Sequence, residues 1–250
     1  MILSVLMPIK VIDDYSGIAI HSTLDAIDGL DAELIIIVGH ESDFIKAQKA
    51  TIGRPNVQIL TSVVDHIIFK LNVGLQYSSG FYIARMDADD ICHARRFKEQ
   101  LQFIQRNSFD LVFGEANLIT NTGEETGVTL KSEFHNIAFQ CRLIHPTMLA
   151  TRDIIKALGG YGNIQHSEDY HLWMKAVASD ASIGIQNVPL ISYRQHSDQL
   201  TNTKNLVDIF KTNVAIKVLI SLQFSSFKYA FGSIVDIARL TKIWFRSIVR

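Results

Sequence analysis

The sequence predicts an α/β protein, a mostly parallel sheet flanked by helices, with a helical tail at its C-terminal end. Three observations predict it. Short apolar runs alternate with stretches of helical periodicity through residues 2–90, the pattern of β-α-β units joined by right-handed crossovers. The runs are apolar on nearly every residue, as strands buried on both faces must be. Charge is also divided along the chain: from Lys204 onward there are eight Lys and Arg against two Asp, a net of +6, which leaves −7 on the first 203 residues. The chain therefore reads as one domain over 1–203 and a basic amphipathic tail over 204–250.

The elements follow in order. Ile2 to Met7 is an apolar run stopped by Pro8, a central strand. Residues 16–29 carry Ile18, Ile20, Leu24 and Ile27 at helical spacing; 32–38 hold the strand Leu34-Ile35-Ile36-Ile37-Val38. A helix over 42–51, a strand over 57–60 and a helix over 67–78 follow, the last closed by Gly80. Phe81 to Arg85 is the next strand, and Ile91 to Phe97 reads as the start of a helix running over 95–107. Beyond it come a strand over 110–114 and a hairpin over 118–131 around Asn121-Thr122-Gly123. Residues 134–143 read weakly as helix, and 145–150 as extended, because Pro146 disfavours helix before it. A short helix over 152–158 ends at Gly159-Gly160, a helix over 168–179 opens on two acids, and 183–191 is strand.

With 250 residues, 48% of them hydrophobic and 20% charged, the chain can bury a sizeable core. A net charge of −1 argues against a nucleic-acid partner. The cysteines, Cys92 and Cys141, lack metal-like spacing and suit a reducing compartment. No run approaches the roughly 20 apolar residues of a spanning helix, and the apolar start has no basic segment before it. The expected location is cytoplasmic, peripheral on the inner face of the plasma membrane.

The chemistry concentrates at Arg85-Met86-Asp87-Ala88-Asp89-Asp90, where a strand ends in three carboxylates. Carboxylates this close repel one another and are tolerated in water or beside a cation. Hard divalent ions take oxygen ligands and pair readily with substrate phosphates. A metal–diphosphate site and a solvated acidic turn both fit the three Asp alone. The second loaded stretch is Ser167-Glu168-Asp169-Tyr170-His171-Leu172-Trp173. Acids at a helix start also serve as simple caps.

Several stretches in order resemble the inverting family 2 glycosyltransferases of the GT-A fold, those of bacterial surface-polysaccharide and lipopolysaccharide assembly above all. They are Leu3 to Pro8, Leu34 to Val38, Leu71-Asn72-Val73-Gly74-Leu75, Gly80 to Asp90, His145-Pro146-Thr147, Gly159-Gly160-Tyr161, Glu168 to Trp173 and Tyr193-Arg194-Gln195-His196. The resemblance implies transfer of a sugar, a hexose or N-acetylhexosamine, from a nucleotide-diphosphate donor, UDP-linked foremost, to a glycan or lipid-linked oligosaccharide. It implies Mn²⁺ or Mg²⁺ on Asp89, with Asp87 on the ribose or a metal-bound water, and His196 reaching metal or diphosphate unless it is structural. It makes Asp169 the general base and Glu168 an acceptor-site residue. Pro8, Lys10, Glu41, Asn72, Arg85 and Arg194 are the remaining expected substrate contacts, with a surface ion pair as the alternative for Arg85. Trp173 reads as core.

Three departures stand out. The family usually has Asp after the second strand, where it recognises the base; this chain has Val38-Gly39-His40-Glu41-Ser42, with Glu41 or Asp43 as substitutes. Ile9-Lys10-Val11 replaces the usual aromatic and Asn, and Val64-Asp65-His66 replaces Asn-x-Gly. These changes leave open a degenerate, non-catalytic scaffold. A nucleotidyltransferase would carry a Gly-rich basic loop after the first strand, and an aspartyl phosphatase an Asp-x-Asp there; neither is present.

In the tail, Phe227, Ala230, Phe231, Ile234, Ile237, Ala238, Trp244, Phe245 and Ile248 follow helical spacing, with Arg239, Lys242, Arg246 and Arg250 on the other face. Such a helix suits an anionic membrane surface, or packs its apolar face on the domain or on a second subunit, as in a homodimer.

Overall fold

The computed structural model describes residues 1–164, 167–196 and 206–248. The chain opens as expected: β1 (Leu3–Pro8), α1 (Asp14–Ile27), β2 (Ala32–Val38), α2 (Glu41–Ala50), β3 (Val57–Thr61), α3 (Ile67–Tyr77) and β4 (Tyr82–Arg85). It continues with β5 (Ile91–Cys92), α4 (Arg96–Asn107), β6 (Leu111–Ile119), β7 (Glu125–Leu130), β8 (Leu149–Thr151), α5 (Arg152–Ala157), α6 (Glu168–Ala178) and β9 (Ile183–Arg194). The tail forms α7 (Leu206–Gln223) and α8 (Phe227–Ile248).

One sheet runs in the order β3-β2-β1-β4-β8-β6-β9-β5, with β7 beside β6. Strands β3, β2, β1 and β4 are parallel to one another. Strand β8 enters antiparallel between β4 and β6, and β6 runs parallel to β9. The carboxyl ends of β1, β2, β3 and β4 thus share one edge, where ligands of such sheets bind.

The pleat explains the continuous apolar runs. Leu6, Ile35, Ile37 and Ile83 enter a core shared with α3, α5 and α6, while Leu3, Val5, Met7, Leu34 and Ile36 enter one shared with α1 and α4. Successive side chains of a strand point to opposite faces, so both parities must be apolar when both faces are covered.

Four local expectations are corrected. Ile91-Cys92 does not begin a helix: it pairs antiparallel with Ile191 and Ser192 of β9, and the helix starts at Arg96. The strand expected over 110–114 is the longer β6, Leu111–Ile119, bulged against β9 near Glu115. Residues 134–143 hold turns and an isolated bridge rather than a helix. His145–Thr147 is a 3₁₀ turn, because Pro146 at its start gives up no needed N–H and Thr147 Oγ1 donates to the Ile144 carbonyl at 2.7 Å. No helix among the described residues is long and apolar enough to cross a membrane.

Candidate active site

The turn after β4 carries the acids. Asp87, Asp89 and Asp90 each present an oxygen within 4.8 Å of the others. Every carboxylate has a support. Asp87 pairs with the guanidinium of Arg85, itself buried at 2% exposure, so Arg85 is not a surface ion-pair partner. The Arg85 carbonyl accepts from Arg96 at 2.8 Å, and Arg96 is buried beneath the turn. Asp89 meets His196 Nε2 at 2.8 Å. Asp90 Oδ1 accepts from the Arg194 amide at 2.9 Å, while its buried Oδ2 has no partner among the described residues. Burial raises the pKa of Asp87, against the pull of Arg85, and burial together with the charges of Asp87 and Asp89 raises that of Asp90 well above the ordinary range. Clustered anions with an orphaned oxygen form a donor set that fits a hard divalent cation.

Arg194 sits behind this turn. Its Nε donates to the Asp89 carbonyl at 2.8 Å, Nη1 to the Asn121 carbonyl at 2.8 Å, and the guanidinium lies over Tyr15. Arg194 thereby holds the acidic turn against the hairpin. Asn72 also holds backbone. It accepts from the Tyr161 amide at 3.0 Å and donates to the Tyr161 carbonyl at 2.8 Å. That clamp requires glycine at 160, where φ is +65° and a Cβ would lie 2.8 Å from Asn72 Oδ1.

Tyr161 is in turn bonded through its hydroxyl to His145 Nε2 at 2.9 Å. His145 packs on Trp173, which is fully buried against Phe113, a core residue as expected. The three stretches around Asn72, His145 and Gly159-Gly160-Tyr161 therefore converge on α6. At the start of that helix stand Glu168 and Asp169. Asp169 Oδ1 accepts the Tyr170 amide at 2.6 Å. Burial, reinforced by the neighbouring Glu168 charge, pushes Asp169 up to about 7. Glu168 is also raised by burial. The Asp169 charge contributes to the raised pKa of Asp87, so the acidic turn and the start of α6 lie near one another.

At the ends of β1, β2 and β3 the three departures from the family pattern meet. The Asp65 carboxylate pairs with buried Lys70 and with His40 Nε2 at 3.2 Å. Lys70 also donates to the Ile9 carbonyl at 2.7 Å. The Lys70 hydrogen bond holds Asp65 below the usual carboxylate range. A Cβ on Gly39 would fall 2.3 Å from Asp65 Oδ1, so Asp65 occupies the space that a side chain at 39 would fill. Pro8 is buried at the end of β1; Lys10 and Glu41 are exposed beside this cluster in sequence. Asp43 is buried and accepts from the Ile12 amide at 3.0 Å. Asp65 and Lys70 are not among the site residues expected from the sequence; their spacing across the start of α3 is the available signal.

The sheet edge and its two acidic groups define a nucleotide-sugar transferase of the GT-A class. The model of the family described as Glycosyl transferase family 2 matches residues 4–157. An O-antigen biosynthesis glycosyltransferase of Escherichia coli, WbnJ, is 31% identical over 205 residues, 78% of this chain and 80% of that protein. The UDP-Glc:alpha-D-GlcNAc-diphosphoundecaprenol beta-1,3-glucosyltransferase WfgD, also of Escherichia coli, is 23% identical over 177 residues, 69% of each chain by coverage. Among solved structures, S. aureus TarS 1-349 in complex with UDP-GlcNAc superposes with a TM-score of 0.70 at 16% identity. That likeness covers 87% of this chain and 66% of that one, just under two thirds of its length. The chain belongs to glycosyl transferase family 2.

Proposed function

We propose that the protein transfers a hexose or N-acetylhexosamine from a UDP-sugar, with inversion, to a glycan or lipid-linked oligosaccharide of a bacterial surface polysaccharide. The observation that carries this reading is two unlike acidic groups close enough to feel each other's charge: a clustered triad at the end of β4 and a half-buried Asp169 raised to about 7. Two carboxyl sites whose environments set them apart suit division between metal binding and proton transfer. The donor nucleotide and the lipid-linked acceptor are supported by the UDP-GlcNAc complex of TarS and by the activity for which WfgD is named.

Asp89 and Asp87, with Asp90 or His196, would hold Mn²⁺ or Mg²⁺. When bound, such an ion supplies charge stabilisation to the departing diphosphate. The chain's residues do the rest. Arg85 and Arg96 fix the turn so that its oxygens stay clustered. Asp169 takes the proton of the acceptor hydroxyl as that oxygen bonds to the anomeric carbon. The bond from that carbon to the phosphate oxygen breaks on the opposite face, and its electron pair leaves with the diphosphate. Glu168 shapes the acceptor side.

Asp65 is the group placed to read the base. Its carboxylate stands where the missing Asp side chain would be, oriented by Lys70 and His40, and a uracil imide N–H is a donor suited to it.

The test is donor hydrolysis and thermal shift across UDP-, GDP-, CMP- and dTDP-sugars, with and without Mn²⁺. Metal-dependent stabilisation by UDP-sugars that disappears in Asp89→Ala is expected. A folded protein that no nucleotide sugar stabilises would make the chain a scaffold. Asp169→Asn should lower turnover about 10²–10⁴-fold, the usual contribution of a positioned base, while donor stabilisation survives.

A further inference from the structure

The tail is built the opposite way round from an ordinary surface helix. Helices α7 and α8 pack against each other, and beyond Tyr229 the buried side of α8 is small or polar: Gly232, Ser233 and Asp236. Asp236 is fully buried and pairs with Lys217 of α7, also fully buried, and with Arg239 at 2.9 Å. Gly232 lies so close to residue 138 that a Cβ would come 2.2 Å from the Ala138 carbonyl oxygen. A helix that packs by its hydrophobic stripe would do the reverse. Here the stripe is outside: Phe227 is 90% exposed, Phe231 58% and Ile234 59%. Helix α7 buries Ile216 and Ile220 but also leaves apolar side chains outside, with Leu219 at 59% and Leu222 at 75%. The expectation that the apolar face of the tail packs on the domain is therefore overturned for the described part of α8. Trp244, Phe245, Ile248, Arg246 and Arg250 lie outside the described side chains.

We infer that this two-helix face docks on an anionic lipid surface. Contiguous exposed apolar side chains of this size mark an interaction site, and charge identifies the occupant. The segment that carries the face has a net charge of +6. Lys211, Lys228 and Lys242 are exposed on it. A twofold pair of copies would press two such segments together, like charge against like. An anionic bilayer meets both the apolar stripe and the cations, each Lys or Arg near the surface adding about fivefold to binding. Docking also bears on the start of α6, because Asn213 of α7 accepts from Ser167 at 2.8 Å, one residue before Glu168. The inference stands on the exposed face and its charge, independent of the donor chemistry.

The experiment is co-sedimentation of the full chain with vesicles of phosphatidylcholine alone and of phosphatidylcholine mixed with phosphatidylglycerol, at low and raised salt. The full chain should pellet with the anionic vesicles, at least about tenfold less with the neutral ones, and less again in salt. The triple variant Leu222→Ser, Phe227→Ser, Phe231→Ser changes only exposed positions, and its fold is checked by circular dichroism. It should lose vesicle binding about tenfold or more. Failure of the full chain to pellet with anionic vesicles would overturn the inference, as would unchanged pelleting of the triple variant. So would a dimer in sedimentation velocity that the same substitutions dissociate, since a second copy would then cover the face.

Discussion

The two residues whose chemistry is most informative are Asp65 and Asp169. Asp65 is held by Lys70 and His40 over Gly39, and the glycine is what admits it. Gly39→Ala should displace the carboxylate and weaken UDP binding roughly 10–100-fold, the worth of one charge-assisted hydrogen bond, measured by titration calorimetry with UDP and Mn²⁺. An unchanged affinity would leave Asp65 as the counter-ion of Lys70 alone. Asp169 makes a prediction in pH. As a base it must be ionised, so turnover should rise with pH through about 7. Stability has the opposite sign. The folded pKa lies above the ordinary 3.8, so the fold favours the neutral acid. That contribution is full in acid and is lost as pH rises toward about 7. Asp169→Asn should therefore raise the melting temperature by an amount that grows from pH 4 to pH 7 and then levels. For a side chain partly open to water about 1–2 kcal/mol is expected, below the roughly 4 kcal/mol that the full shift would give. A melting temperature that rises equally at pH 4 and pH 8 would contradict the burial argument.

At the scale of elements, the sequence makes some features plain and hides others, for identifiable reasons. Strands β1, β2 and β4 are legible because burial on both faces calls for an apolar residue at nearly every position, and the acidic turn is legible because three Asp cluster where a buried strand ends. Strand β5 is hidden because two residues carry no period; only pairing with β9 defines it. Helix α7 is hidden because apolar residues surround it, Ile216 and Ile220 buried on one side, Leu219 and Leu222 exposed on the other. In α8 the period is visible but its direction is not. Periodicity tells which residues share a face, whereas the Lys217–Asp236 pair decides which face turns inward. Arg194 and Asn72 are legible as site residues but not as holders of backbone, since that role depends on partners 73 and 89 residues away. The buried pair makes its own prediction. Asp236→Ala strands the Lys217 ammonium in the interior and should cost about 3–5 kcal/mol in urea unfolding. The double variant Lys217→Met, Asp236→Leu should recover most of that loss. If Asp236→Ala unfolds at the wild-type midpoint, the pair does not fix the tail.

At the scale of the whole molecule, the division at residues 203 and 204 becomes a question of cooperativity. The sequence suggests a catalytic body and a separable basic tail, yet the tail shares the body's core. Ile216, Ile220 and Tyr229 belong to the same cluster as Tyr170, Trp173 and Met174 of α6. The Tyr229 hydroxyl donates to the Met174 carbonyl, and Lys217 lies over the Tyr170 ring. Since α6 carries Glu168 and Asp169, removing the tail would open the core directly behind these two acids. Burying three such apolar side chains is worth about 1.5–3 kcal/mol each, comparable to the whole stability of an ordinary domain of about 5–15 kcal/mol. A chain ending at Asn205 should therefore be severely destabilised rather than a clean membrane-free enzyme. Calorimetry of the full chain should show a single transition with equal calorimetric and van't Hoff enthalpies. Two resolved transitions, together with a truncated chain that melts at the temperature of the larger one, would show that body and tail fold independently. The Ser167–Asn213 and Tyr170–Lys217 contacts would then not support the site. A single transition would mean that a surface contact of α7 and α8 acts on the same cooperative unit that holds Asp169.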